Sequence, residues 1–186
     1  MKRLIDLRQV LDTLSHWTAL IGAYALLAAS LLICFDVVMR KFLSSPITGA
    51  DEISGYALAS SISWAAAYAL FRGSHLRVDV LYRLFPLKLR AWLDVAAVGA
   101  LLAFGTIVAW QGTELMIEAL SYGKLANSTL RTPLWIPQLL WVGGLGFFVI
   151  SCAATFIEGL MRVVTGDYAG AIALINPQQE LDEVVL

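Results

Sequence analysis

Residues 132–157 read TPLWIPQLLWVGGLGFFVISCAATFI, 26 positions without one Asp, Glu, Lys or Arg. A helix rises about 1.5 Å per residue and a bilayer's hydrocarbon core is about 30 Å thick, so roughly 20 apolar residues cross it. Outward from this stretch lie three more uncharged runs, at 17–35, 53–71 and 95–113, each 19 residues long. The 13 Lys and Arg and the 14 Asp and Glu all fall outside these four runs. With 59% hydrophobic and 15% charged residues, the chain departs from the roughly 25% charged composition of soluble domains. The runs show no polar-apolar alternation of the kind that transmembrane strands need. Helices satisfy every backbone polar group internally. The expectation is an all-α membrane protein with four transmembrane helices, at about 14–41, 52–72, 86–120 and 133–162.

Charge sets the expected orientation. Lys2, Arg3 and Arg8 precede the first run, Arg72, Arg77, Arg83, Lys88 and Arg90 fill the second connection, and Arg162 follows the fourth run. Only Arg40, Lys41, Lys124 and Arg131 lie in the other two connections. The excess of basic residues marks the cytoplasmic side, so both termini are expected there and the loops at 41–52 and 120–131 are expected to face outward. The first run has no small-residue cleavage site after it and reads as an uncleaved anchor. Residues 1–162 then form one membrane domain, and 163–186 a cytoplasmic tail. Between the second and third helices, apolar residues at helical spacing among long basic side chains suggest an interfacial arm at about 75–85. Pro86 suits the first turn of the next helix. That helix, about 35 residues and roughly 52 Å long, exceeds what the bilayer needs.

Little in the chain points to chemistry of its own. A carrier acting alone usually holds ionisable groups near the bilayer midplane, and none of the four runs has one. A haem anchor needs paired imidazoles inside the bundle, whereas the two histidines are His16 and His75. A thiol oxidase needs a reactive pair such as Cys-x-x-Cys. Cys34 and Cys152 instead sit at depths that differ by about 15 Å, beyond disulfide reach. The net charge of −1 gives no basis for nucleic-acid binding. The reading is no enzyme, no metal and no cofactor held by this chain. A second class, the membrane anchor of a respiratory or redox complex, would need its ligands from a partner.

The remaining candidates are interaction residues. Asp36 and Arg40 are four apart and share a helix face at the outer boundary of the first helix. Asp51 and Glu52 open the second helix, where negative charge suits the dipole. In that helix Ala59, Ser63 and Ala67 recur every four residues, the spacing that lets membrane helices approach closely. They pack either within this chain's own bundle or on a partner. Gly143, Gly144 and Gly146 offer a similar approach, or a kink.

In order, these features resemble a known family. Asp36-Val37-Val38-Met39-Arg40 closes the first helix, Asp51-Glu52-Ile53 opens the second, and Trp64 is followed by Ala67. Next come Arg72-Gly73-Ser74-His75-Leu76-Arg77-Val78-Asp79 and then Thr132-Pro133-Leu134-Trp135-Ile136-Pro137. Together they look like the small, Q-type (DctQ-like) membrane subunit of tripartite ATP-independent periplasmic (TRAP) transporters. The resemblance implies a sodium-coupled secondary transporter for organic acids in the bacterial inner membrane. Its partners would be a large multi-helix elevator subunit, which holds the sodium ions and the substrate, and a periplasmic binding protein. This chain would be the scaffold and part of the docking surface. On that reading Asp36, Arg40, Glu52 and Arg131 are docking or loop-anchoring candidates. Arg72, Gly73, His75, Arg77 and Asp79 order the interfacial arm, and Ala59, Ser63, Trp64 and Ala67 are helix-packing candidates.

Overall fold

A computed structural model describes residues 2–73 and 85–176. Its order is α1 (Lys2–Leu43), α2 (Ala50–Phe71), α3 (Leu87–Ser121), α4 (Trp135–Val164) and the short α5 (Tyr168–Ile175). Among the described residues the chain is all-α, and the one β-type pairing is an isolated antiparallel bridge between Leu125 and Pro133. The expected arm at 75–85, with His75, Arg77 and Asp79, lies outside the described residues apart from Phe85.

The four long helices run alternately up and down, which brings both described ends of the chain to one side of the bundle. We call that side the terminal end, and the side holding the connections at 44–49 and 122–134 the loop end. α2 and α4 form the centre: α1 packs on α2, α2 on α4, and α3 on the far side of α4. Close packing has a visible cause at Gly144. A side chain there would meet the Ser63 hydroxyl and come within 2.8 Å of the Trp64 backbone nitrogen, so only glycine lets α2 and α4 approach this closely. Of the three glycines in this stretch, Gly146 faces open space.

Three helices, α1, α3 and α4, are long and apolar enough to cross a membrane. The sequence expectation was four, and α2 falls short because Ser54, Ser60, Ser61 and Ser63 dilute its hydropathy. Its position explains the serines. The Ser61 hydroxyl donates to the Gly22 carbonyl of α1 at 3.1 Å, and the Ser63 hydroxyl to Ser60 of its own helix at 2.8 Å. A central helix can spend polar groups on its neighbours, whereas a lipid-facing one cannot. The outer helices are correspondingly bare: Leu14, Ile21, Leu27, Leu31 and Phe35 on α1 and Phe104, Ile107 and Leu115 on α3 are exposed.

Two ends differ from expectation. α1 starts at Lys2 rather than near residue 14, because Leu11 and Ser15 are buried and Leu11 packs with Phe71 and Ala154. Residues 163–176, expected to belong to a tail, instead turn at Gly166 (φ 85°) and form α5. The Asp167 side chain caps that helix by accepting from the Gly170 amide at 3.0 Å. Ala171, Leu174 and Ile175 then bury against Ala91, Val95, Val98 and Val163 of α3 and α4.

Candidate functional site

At the loop end, the penultimate turn of α1 carries Asp36, only 2% exposed. Arg40, one turn further on, pairs with its Oδ2 at 2.5 Å, and the Ile47 backbone amide donates to its Oδ1 at 2.6 Å. One carboxylate thus ties a helix to the loop that follows it. A second carboxylate lies at the same end of the bundle and bonds within its own helix. Glu52, in the first turn of α2, accepts from the Tyr56 hydroxyl at 2.6 Å. Its other oxygen, Oε2, is buried without a hydrogen-bond partner among the described residues, as is the Ser128 hydroxyl of the second loop.

The second loop folds back on itself. Ala126 donates to the Thr132 carbonyl at 2.9 Å and Leu134 to the Lys124 carbonyl at 3.1 Å, flanking the Leu125–Pro133 bridge. Arg131 takes a left-handed conformation (φ 48°) at the exposed tip and donates its amide to the Ser128 carbonyl at 3.3 Å. α4 begins just after this loop, with Leu134 as an N-cap that makes no side-chain bond. The Leu130 side chain lies on Gly49, where φ is 83° and any Cβ would collide. The structure thus brings Asp36, Arg40 and Glu52 together with the two loops, and Arg131 crowns the second.

In the middle of the bundle, Ser63 and Ala67 are buried toward this chain's own α4, whereas Ala59 is exposed. The Trp64 ring stacks on Phe147 at 5.8 Å, and its Nε1 donates to the Leu140 carbonyl at 2.9 Å. Beside it an open groove of about 520 Å³, mostly apolar, runs between α1 and α2 past Thr18, Gly22, Ala57, Ser61 and Trp64. Cys34 is exposed and Cys152 buried, and both are free thiols.

The terminal end holds residues that sequence reasoning did not single out. Glu158, 3% exposed, pairs with Arg162 at 2.8 Å, and Arg162 also lies 3.6 Å from Asp167. Arg8 donates to the Leu174 carbonyl at 2.9 Å and feels the charges of Glu158 and Asp12. Arg72 lies 3.6 Å from Asp12 and sits over the Tyr68 ring at 5.0 Å. Gly73 follows in a left-handed turn (φ 64°). The missed signal was the Glu158-x-x-x-Arg162 spacing, which repeats that of Asp36 and Arg40. Asp94 is likewise buried near the start of α3. Among the described residues, no cluster of His, Cys, Asp and Glu could hold a metal ion.

Long apolar helices with bare outer faces and charged groups confined to the two ends define a helical membrane protein shaped to be covered by lipid or by other membrane helices. Residues 29–162, well over half of the chain, match the family model described as tripartite ATP-independent periplasmic transporters, DctQ component, and the chain belongs to that family. It is thus a TRAP transporter small permease component and a membrane protein. No curated protein and no solved structure matched it significantly.

Proposed function

We propose that this chain is the fixed scaffold subunit of a sodium-coupled TRAP transporter for organic acids in the bacterial inner membrane. The observation that carries this reading is the family match across residues 29–162. On it, α2 also crosses the bilayer, since its 22 residues span about 33 Å and its Ser54, Ser61 and Ser63 hydroxyls donate to backbone carbonyls within the bundle. The terminal end is cytoplasmic, in keeping with the excess of basic residues there, and the loop end faces the periplasm.

The division of labour follows from where polar groups lie. The long helices carry their charges near the ends, so ion and substrate binding falls to a large multi-helix subunit. The bare faces of α1 and α3 would brace that subunit. The loops at 44–49 and 122–134, with Arg40, Lys41, Lys124 and Arg131 at their edges, would receive part of the substrate-loaded binding protein. The test is uptake of the organic acid recognised by the co-encoded binding protein. Deleting this chain should abolish uptake, and restoring it from a plasmid should recover uptake. Uptake that continues unchanged without the chain would refute the role.

A further inference from the structure

We propose that α1 presents a coiled-coil seam, running from Leu7 to Phe42, to one long helix of the large membrane subunit. The inference deepens the bracing role proposed above and rests on it for the identity of that subunit.

From Leu7, moving alternately by three and four residues to Phe42, every position of α1 is apolar and every one is exposed. No other register of this spacing is apolar throughout, since each takes in Thr18 or a charged residue. A period of 3.5 is the repeat that keeps two helices in contact as they coil left-handedly, crossing at about 20°. Within a bilayer an apolar stripe alone means little, because lipid covers it. This one outruns the bilayer. Between positions 7 and 42 the helix rises about 52 Å, against about 45 Å for a bilayer with its headgroups. Leu7 and Val10 lie beyond Asp12 at the terminal end, and Val38 and Phe42 beyond Asp36 at the loop end. Side chains kept apolar and bare among the charges at both ends call for a protein cover. The cover does not come from this chain, whose α2 takes a different face of α1, with Gly22 against Ser61. A second copy fits poorly. Copies inserted alike hold their α1 helices parallel, so each layer of the seam would meet itself. Trp17, Tyr24, Phe35 and Phe42 would then face their own rings, with a gap at Ala28 between them. A helix of another protein can set small side chains opposite the rings and a large one opposite Ala28.

The experiment is photo-crosslinking in native membranes that hold the whole transporter. A benzophenone amino acid is placed singly at Val10, Ile21, Leu31 and Val38 on the seam, and at Gln9, Ala23, Ser30 and Val37 on an exposed face off it. Seam sites should give about fivefold more adduct with the large subunit than the other sites, and the attached peptides should fall in order along one helix. Lipid adducts alone at the seam, adducts between copies of this chain, or peptides scattered over several helices would each overturn the seam. So would large-subunit adducts that are as strong off the seam, although uptake that still depends on this chain would leave the scaffold role standing. A second measurement is recovery of the complex in mild detergent. Ala28→Phe should lower it about fivefold, and Ala23→Phe should stay within about twofold, since only the first change crowds the seam. Both residues are exposed, so this chain's own packing is left alone. Equal recovery of the two variants would overturn the seam.

Discussion

Asp36 with Arg40, and Glu158 with Arg162, are the same device at opposite ends of the bundle: an acid followed four residues later by an arginine near a helix C-terminus. Both carboxylates are buried, at 2% and 3% exposure. The arginines differ, with the Arg40 side chain 58% exposed and that of Arg162 30%. What surrounds each pair differs more. Asp36 lends its second oxygen to the Ile47 amide of a loop. The Glu158 pair is closed over by α5, with Arg162 lying 3.4 Å from the Gly170 carbonyl and Arg8 arriving from α1. One spacing thus anchors a loop to a helix at one end and gathers three helices at the other. The helix pair supplies a local acid and base, and the elements packed on it decide what the pair is for.

This contrast can be broken from either end. The largest effect is expected from Glu158→Ala, which leaves Arg8 and Arg162 without their buried counter-charge and should cost roughly 3 kcal/mol, read as a lower melting temperature in detergent. Exchange should then rise at 168–175 while 44–49 keeps its protection. Gly144→Val comes next, because the added atoms collide with Ser63 and Trp64. Forcing α2 from α4 should cost about 2 kcal/mol and loosen both ends together. Asp36→Asn should speed exchange at 44–49 by several-fold and leave α5 untouched, which is the reciprocal of the Glu158 result. Should both carboxylate changes loosen both ends, the division between them is wrong. Arg40→Ala should be the mildest, within about twofold in the same assay, since its exposed side faces solvent.

The long helices were legible because runs without charge leave little alternative in a membrane. Pro86 marked the start of α3 within one residue. α5 was not legible, since the eight residues YAGAIALI are too few to span anything and their apolar character has meaning only once the walls of α3 and α4 are in place. The serines of α2 pulled the other way: they look like a weaker span until Ser61 is seen on the Gly22 carbonyl of α1. At the loop end, Asp36 and Arg40 could be paired from spacing alone, but the Ile47 amide could not, because it is a loop position set by tertiary closure. Glu158 escaped because it borders an uncharged run. A charge at a run's edge reads as the start of water, and here α5 covers it.

The central claim is that the bare faces of α1 and α3 belong against a larger membrane subunit. It is tested most directly by purifying the tagged chain from its native membrane in mild detergent and measuring the composition and mass of the particle. The account predicts a one-to-one complex with a large polytopic membrane protein of the same transporter. A stable, monodisperse particle of this chain alone would contradict it.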